Sequence, residues 1–87
     1  MQGGAMPVRS RVKVLLYRRN LERVEAGEKP ISVHGLALAT GIAYSALRKL
    51  ADNESTRVDF ETLDKLMRYF GVTSLDEILE YKPDQPG

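Results

Sequence analysis

The chain has 87 residues, 43% of them hydrophobic, which suits one small domain with a single core. It has no cysteine and one histidine, so disulfides, thiol catalysis and the common zinc sites are excluded. No apolar run approaches the roughly 20 residues that cross a bilayer and no signal peptide pattern appears, so we expect a soluble, cytoplasmic protein without membrane contact.

The net charge of +1 conceals an uneven distribution. Residues 7–57 carry ten Lys and Arg against five Asp and Glu, whereas residues 58–87 carry three against seven. The first part of the chain can therefore face phosphate, and the second cannot. For any single charge, an ordinary solvated surface is an equally good interpretation.

A first helix is predicted after residues 1–6, which we interpret as a disordered extension or a cloning remnant. Pro7 or Ser10 can open this helix, and Gly27 can end it. Apolar side chains recur at helical spacing along it, at Val12, Leu15, Leu16, Leu21 and Val24. Residues 20–31 leave open whether Leu21 and Val24 close the core or meet a second subunit.

Residues 32–50, SVHGLALATGIAYSALRKL, predict two short helices joined by a glycine turn. Ser32 is a good N-cap for a helix over Val33–Thr40, and Gly41 can adopt the positive φ that ends it. The predicted inward positions are Leu36, Ala37, Thr40, Ile42, Leu47 and Leu50. The second helix, from about Tyr44 to Ala51, keeps a free face that carries Tyr44, Ser45 and Arg48.

Turn-forming residues follow in the stretch ADNESTRV. Asp59 can then cap a helix over Phe60–Phe70, which Gly71 ends. Ser74 and Glu77 have the spacing of a capping box, which predicts a last helix over residues 75–80.

Two prolines near the end mark a flexible tail over residues 83–87. The fold predicted for residues 7–82 is therefore all-α, a compact domain of five helices without a strand pattern or an internal repeat.

A resemblance to Xre-type transcriptional regulators, the phage Cro and repressor-like family, rests on Leu36, Ala37, Gly41, Ile42, Leu47 and Leu50. It extends through about Leu79 and includes VDFETLDKLMRYFGVTSLDEIL. The resemblance implies a repressor-like DNA-binding domain with a helix-turn-helix. Ala43 departs from the family pattern, which often has a Ser or Thr N-cap there, because alanine cannot cap through its side chain.

The second helix of the motif carries the candidates for reading bases. A helix fits the major groove, and its first turn meets base edges when the preceding helix crosses the backbone. The candidates are Tyr44, Ser45 and Arg48. Arg48 can bind guanine with two hydrogen bonds or, with Lys49, hold phosphates only, and Tyr44 can contact DNA or shield the edge of the core.

Candidates for phosphate contacts come from three places. Ser32 and His34 open the helix before the turn, where a helix N-terminus attracts anions. The resemblance implies further phosphate contacts from the start of the first helix and from the loop after the second helix of the motif, the recognition helix. With Lys49, these candidates are Arg9, Arg11, Lys13, Asn53, Ser55, Thr56 and Arg57, and the alternative for each is a hydrophilic surface.

These features favour a sequence-specific regulator that binds double-stranded DNA as a repressor or autoregulator. One small domain buries little DNA surface, so we expect a homodimer on a palindromic operator. The last helix is the first choice of dimer interface, through Ile78, Leu79 and Tyr81, and the extended first helix is the second choice.

An alternative function is an antitoxin-like protein-interaction module that also binds its own promoter and has a toxin as its protein partner. An enzyme is disfavoured because the chain has no cluster of His, Cys or paired carboxylates and no Gly-rich phosphate loop. We therefore expect no catalytic residue, no cofactor and no metal.

Overall fold

The computed structural model of the protein describes residues 7–83. In chain order its elements are β1 (Val8–Ser10), α1 (Val12–Glu25), α2 (Val33–Thr40), α3 (Tyr44–Ala51), α4 (Phe60–Phe70), a 3-10 turn (Leu75–Glu77) and β2 (Leu79–Tyr81). The predicted extension over residues 1–6 and residues 84–87 of the predicted tail lie outside the described residues. Within the described range, no helix combines the length and the hydropathy of a membrane-spanning segment.

The two predicted helices of the glycine-turn motif are confirmed as α2 and α3. The Ser32 hydroxyl accepts a 3.0 Å hydrogen bond from the Gly35 amide at the start of α2. Gly41 ends α2 with a φ of +76°, in the left-handed region that favours glycine. Ala43 precedes α3 without a side-chain cap, as its methyl group requires.

The core lies where the four α-helices meet. Its fully buried large side chains are Val12, Leu36, Leu47, Leu66 and Ile78. The inward positions predicted for the motif are buried as well, except Thr40, which is half-buried and donates its hydroxyl proton to the Leu36 carbonyl. α3 is therefore fixed on one side by the core and open to solvent on the other.

The two ends of the described chain pair as strands, which corrects the prediction of an all-α domain of five helices. β1 and β2 are antiparallel, with Val8 opposite Tyr81 and Arg9 opposite Glu80. Each strand supplies the backbone partners that the other lacks. Because these partners lie at opposite ends of the sequence, local periodicity contains no signal for the sheet.

Helix α1 begins at Val12, later than the predicted start at Pro7 or Ser10. The Arg11 amide donates a 2.8 Å hydrogen bond to the Ile78 carbonyl, which continues the contact between the two ends of the chain. Val8–Ser10 is therefore held extended by a partner that is remote in sequence.

The predicted last helix over residues 75–80 is wrong. A single 3-10 turn, Leu75–Glu77, is followed directly by β2. The capping box does not form, because the Ser74 hydroxyl donates to the Asp76 carboxylate and does not accept from a backbone amide. Complete burial of Ile78 and the pairing of β2 with β1 determine the path of this segment.

The extended first helix runs as far as Glu25. Asn20 fixes the end of the segment that connects α1 to α2. Its Nδ2 donates to the Ile31 carbonyl at 2.8 Å, and its Oδ1 accepts from the Ile31 amide at 2.7 Å. Leu21 and Val24 are 50% and 57% exposed. Closing the core is therefore not their role.

Candidate nucleic-acid interface

The open side of α3 carries polar and cationic side chains. At about 100° per residue, Ser45 and Lys49 each lie within about 20° of the direction opposite the buried Leu47. Both are exposed. Arg48 is rotated by about a right angle from Leu47, so it stands along one edge of the open side.

Tyr44 stands at the start of α3 against the first turn of α2. Its ring centroid lies 5.2 Å from that of His34, with the two rings tilted by 57°. Tyr44 is 44% exposed. In the same turn of α2, the Ser32 hydroxyl oxygen caps the helix and its proton is left to donate. The N-terminal ends of α2 and α3 therefore form one polar surface.

Asp52, predicted from the sequence only as a turn former, joins two predicted DNA-contact residues. Its Oδ1 lies 2.9 Å from Lys13 Nζ, and its Oδ2 accepts a 3.0 Å hydrogen bond from Arg48 Nε. These contacts link the first turn of α1 to the last turn of α3. The spacing of four residues between Arg48 and Asp52 was the available signal in the sequence. Among residues 7–83, no group of three or more His, Cys, Asp or Glu side chains is placed to hold a metal ion.

The pKa of Asp52 is lowered from its ordinary value of 3.8, chiefly by the hydrogen bond from Lys13, and the charge of Arg48 acts in the same direction. The folded state thus favours the carboxylate. Its contribution to stability is fully present above about pH 3.8 and is lost as the pH falls through the lowered pKa.

We expect Asp52→Asn to lower the free energy of unfolding at about pH 7 and to match the wild type progressively as the pH falls below 3.8. Urea denaturation at neutral and acidic pH measures both effects. Asp64→Asn is the control, because Asp64 also pairs with an arginine, Arg68, but both of these side chains are more than half exposed. A stability difference for Asp52→Asn that does not change with pH would contradict the assignment.

A hollow beside α3 brings together phosphate candidates that are far apart in sequence. It is lined by Arg9 of β1 and by four residues of the loop after α3, namely Asn53, Ser55, Thr56 and Arg57. Asn53 has a φ of +60°, and its Oδ1 accepts a 2.7 Å hydrogen bond from the Ser10 amide. This bond fixes β1 to the end of α3, and so places Arg9 next to the loop.

Arg11 is not among the residues that line this hollow. Its Nη1 donates a 3.0 Å hydrogen bond to the Glu77 carbonyl in the 3-10 turn. The side chain therefore holds the two ends of the described chain together.

The three predicted dimer-interface residues differ in their surroundings. Ile78 is fully buried in the core, so its assignment to an interface is wrong. Leu79 is half-buried against the core, and Tyr81 is 68% exposed. The error arose because a helix over residues 75–80 would have turned Ile78 and Leu79 to the same exposed side.

A comparison with protein families matches the model described as the Cro/C1-type HTH DNA-binding domain to residues 20–84 of the chain. The chain belongs to this family. The resemblance to Xre-type regulators is thereby confirmed. Comparisons with curated proteins and with solved structures give no match.

In this Cro/C1-type domain, α2, the Gly41 turn and α3 are the helix-turn-helix, and the domain is that of a DNA-binding transcription regulator. The match begins at Asn20 and omits β1 and residues 12–19 of α1. Arg9 and Lys13 therefore lie outside the matched residues.

Proposed function

We propose that this Cro/C1-type domain is a sequence-specific repressor or autoregulator that places α3 in the major groove of a palindromic operator. The observation that carries the proposal is the open side of α3, where Ser45, Arg48 and Lys49 have no acidic neighbour on the helix other than Asp52. That carboxylate is already paired with Arg48 and Lys13. The open side of α3 therefore suits a polyanion with hydrogen-bonding base edges.

Arg48 is proposed to read guanine. Its Nε is bonded to Asp52, which orients the guanidinium and leaves both Nη groups to donate to guanine O6 and N7. Ser45 and Tyr44, in the first turn of α3, are proposed to contact the neighbouring bases. Lys49, which points directly outward, is proposed to attract the DNA to the same surface through its positive charge.

Phosphate contacts are proposed on both sides of α3. Ser32 and His34, at the N-terminus of α2, contact phosphates of one DNA strand. Arg9 and Arg57, with Asn53, Ser55 and Thr56, meet the backbone on the side of the hollow. Such contacts set the position of the domain on the duplex and make its affinity dependent on salt.

Selection of bound DNA from a random pool tests the proposal. The expected result is one enriched half-site that recurs as an inverted repeat, with binding that weakens steeply as salt rises. Enrichment of no sequence would contradict sequence-specific recognition. A protein that copurifies in fixed ratio would support the alternative instead, the antitoxin-like interaction module that also binds its own promoter.

A further inference from the structure

Four apolar side chains form a row on the side of α1 that faces away from the core. They are Val14, Tyr17, Leu21 and Val24, with exposed fractions of 41%, 66%, 50% and 57%. Their spacing of three, four and three residues places them on one stripe of the helix, as in helices that pair along a seam. We call this row the α1 seam. A continuous exposed apolar row of this kind marks an interaction site.

We propose that the α1 seam pairs with the α1 seam of a second copy of this chain in antiparallel orientation. In this arrangement Val14 packs on Val24 of the second copy, and Tyr17 packs on its Leu21. A two-fold axis relates the copies, so each contact occurs twice.

Charges beside the seam select the second copy and its orientation. Arg18 and Glu25 each follow a seam residue, so they lie along the same edge of the seam. Side chains on a helix point toward its N-terminus, and in the antiparallel pair Arg18 therefore approaches Glu25 of the second copy, twice. A parallel pair would instead set Lys13 of each copy against Arg18 of the other. Within residues 7–83, neither Arg18 nor Glu25 forms an ion pair in the monomer.

The opposite edge of the seam faces the helix-turn-helix. Lys13 on this edge binds Asp52 at the end of α3, and Asn20 on the same edge binds Ile31 just before α2. The two-fold axis of an antiparallel pair runs perpendicular to the plane of the two helices, so this edge of both copies faces the same way. Both helix-turn-helix units then lie on one side of the dimer, as two half-sites on one face of a duplex require. Of the arguments for the pairing, only this agreement with two half-sites rests on the proposed function.

Sedimentation equilibrium without DNA tests the pairing through two variants with matched exposure. Tyr17 and Tyr81 are 66% and 68% exposed, and only Tyr17 lies in the seam. Tyr17→Glu is expected to weaken self-association at least about tenfold, as loss of an aromatic anchor does, and Tyr81→Glu to leave it unchanged. Circular dichroism confirms that both variants stay helical. A wild-type chain that remains monomeric at high concentration, or dissociation caused by Tyr81→Glu instead, would overturn the proposal.

Exchanging the two charges tests whether Arg18 of one copy lies against Glu25 of the other. Arg18→Glu and Glu25→Arg should each weaken self-association, because each sets like charges against one another across the seam. The double variant should restore it. Single variants that associate as the wild type does, or a double variant that remains as weak as the singles, would exclude the antiparallel arrangement.

Cross-linking reads the orientation directly, since the chain has no cysteine of its own. An oxidised mixture of Val14→Cys and Val24→Cys variants should give the mixed disulfide. In the antiparallel pair, two copies of position 14 are offset by about 15 Å along the helix, too far for a disulfide. Disulfides only between identical variants would refute the arrangement. Binding of each variant to a DNA half-site is measured separately. It shows whether the DNA-binding surface is intact when self-association is lost.

Discussion

Leu47→Ala is expected to lower the free energy of unfolding by about 2 to 5 kcal/mol, the range for deleting a buried leucine side chain. Leu47 is fully buried and fixes the inner side of α3 to the core. Its loss leaves a cavity at the point that holds the recognition helix in place. Urea denaturation followed by circular dichroism measures the change.

Leu38→Ala is the matched control, because it removes the same atoms from a side chain that is 75% exposed on α2. Its effect should stay within about 0.5 kcal/mol, as for most surface substitutions. Equal losses from the two variants would show that α3 is not held on the core through Leu47.

Arg48→Ala is expected to lower the affinity for the selected operator by about 5- to 150-fold, which corresponds to the roughly 1 to 3 kcal/mol of one bidentate contact to guanine. The substitution should also reduce the preference for guanine at the position that Arg48 reads. Fluorescence anisotropy with the selected duplex, and with a duplex changed at that base pair, measures both effects.

Arg68→Ala supplies an unusually close control. Arg68 Nε donates to Asp64 Oδ2 at 2.8 Å on α4, the same pair of atoms at the same spacing as Arg48 and Asp52 at 3.0 Å. Both substitutions therefore remove one arginine and one ion pair between residues four apart. If the two variants bound the operator equally well, or if Arg48→Ala weakened binding to all sequences alike, Arg48 would be a phosphate contact or a purely structural residue.

The boundaries and caps of α2 and α4 were readable from the sequence because their causes are local. Ser32 and Asp59 each cap a helix by accepting a hydrogen bond from an amide three residues ahead. Gly41 and Gly71 end helices at positive φ, where a Cβ is unfavourable. The helical spacing of apolar residues located the buried sides of α2 and α3 for the same reason.

The candidate DNA surface was predicted in part. The residue types on the open side of α3 follow from helical periodicity, and their relation to DNA followed from the family resemblance. The ion pair between Asp52 and Lys13 could not be predicted from the sequence, because it joins α1 to α3 through a contact between residues distant in sequence. The position of Arg9 beside the loop after α3 depends in the same way on the bond between Asn53 and the Ser10 amide.

The positions of α2 and α4, their caps and the glycine turn are thus properties of short stretches of chain, where backbone propensity and neighbouring side chains act alone. The pairing of β1 with β2, the burial of Ile78 and the exposure of Leu21 and Val24 depend on which distant surfaces meet. Residues 75–80 show the difference most clearly, since their local pattern favours a helix. Strand pairing with the other end of the chain and burial of one isoleucine outweigh that local preference.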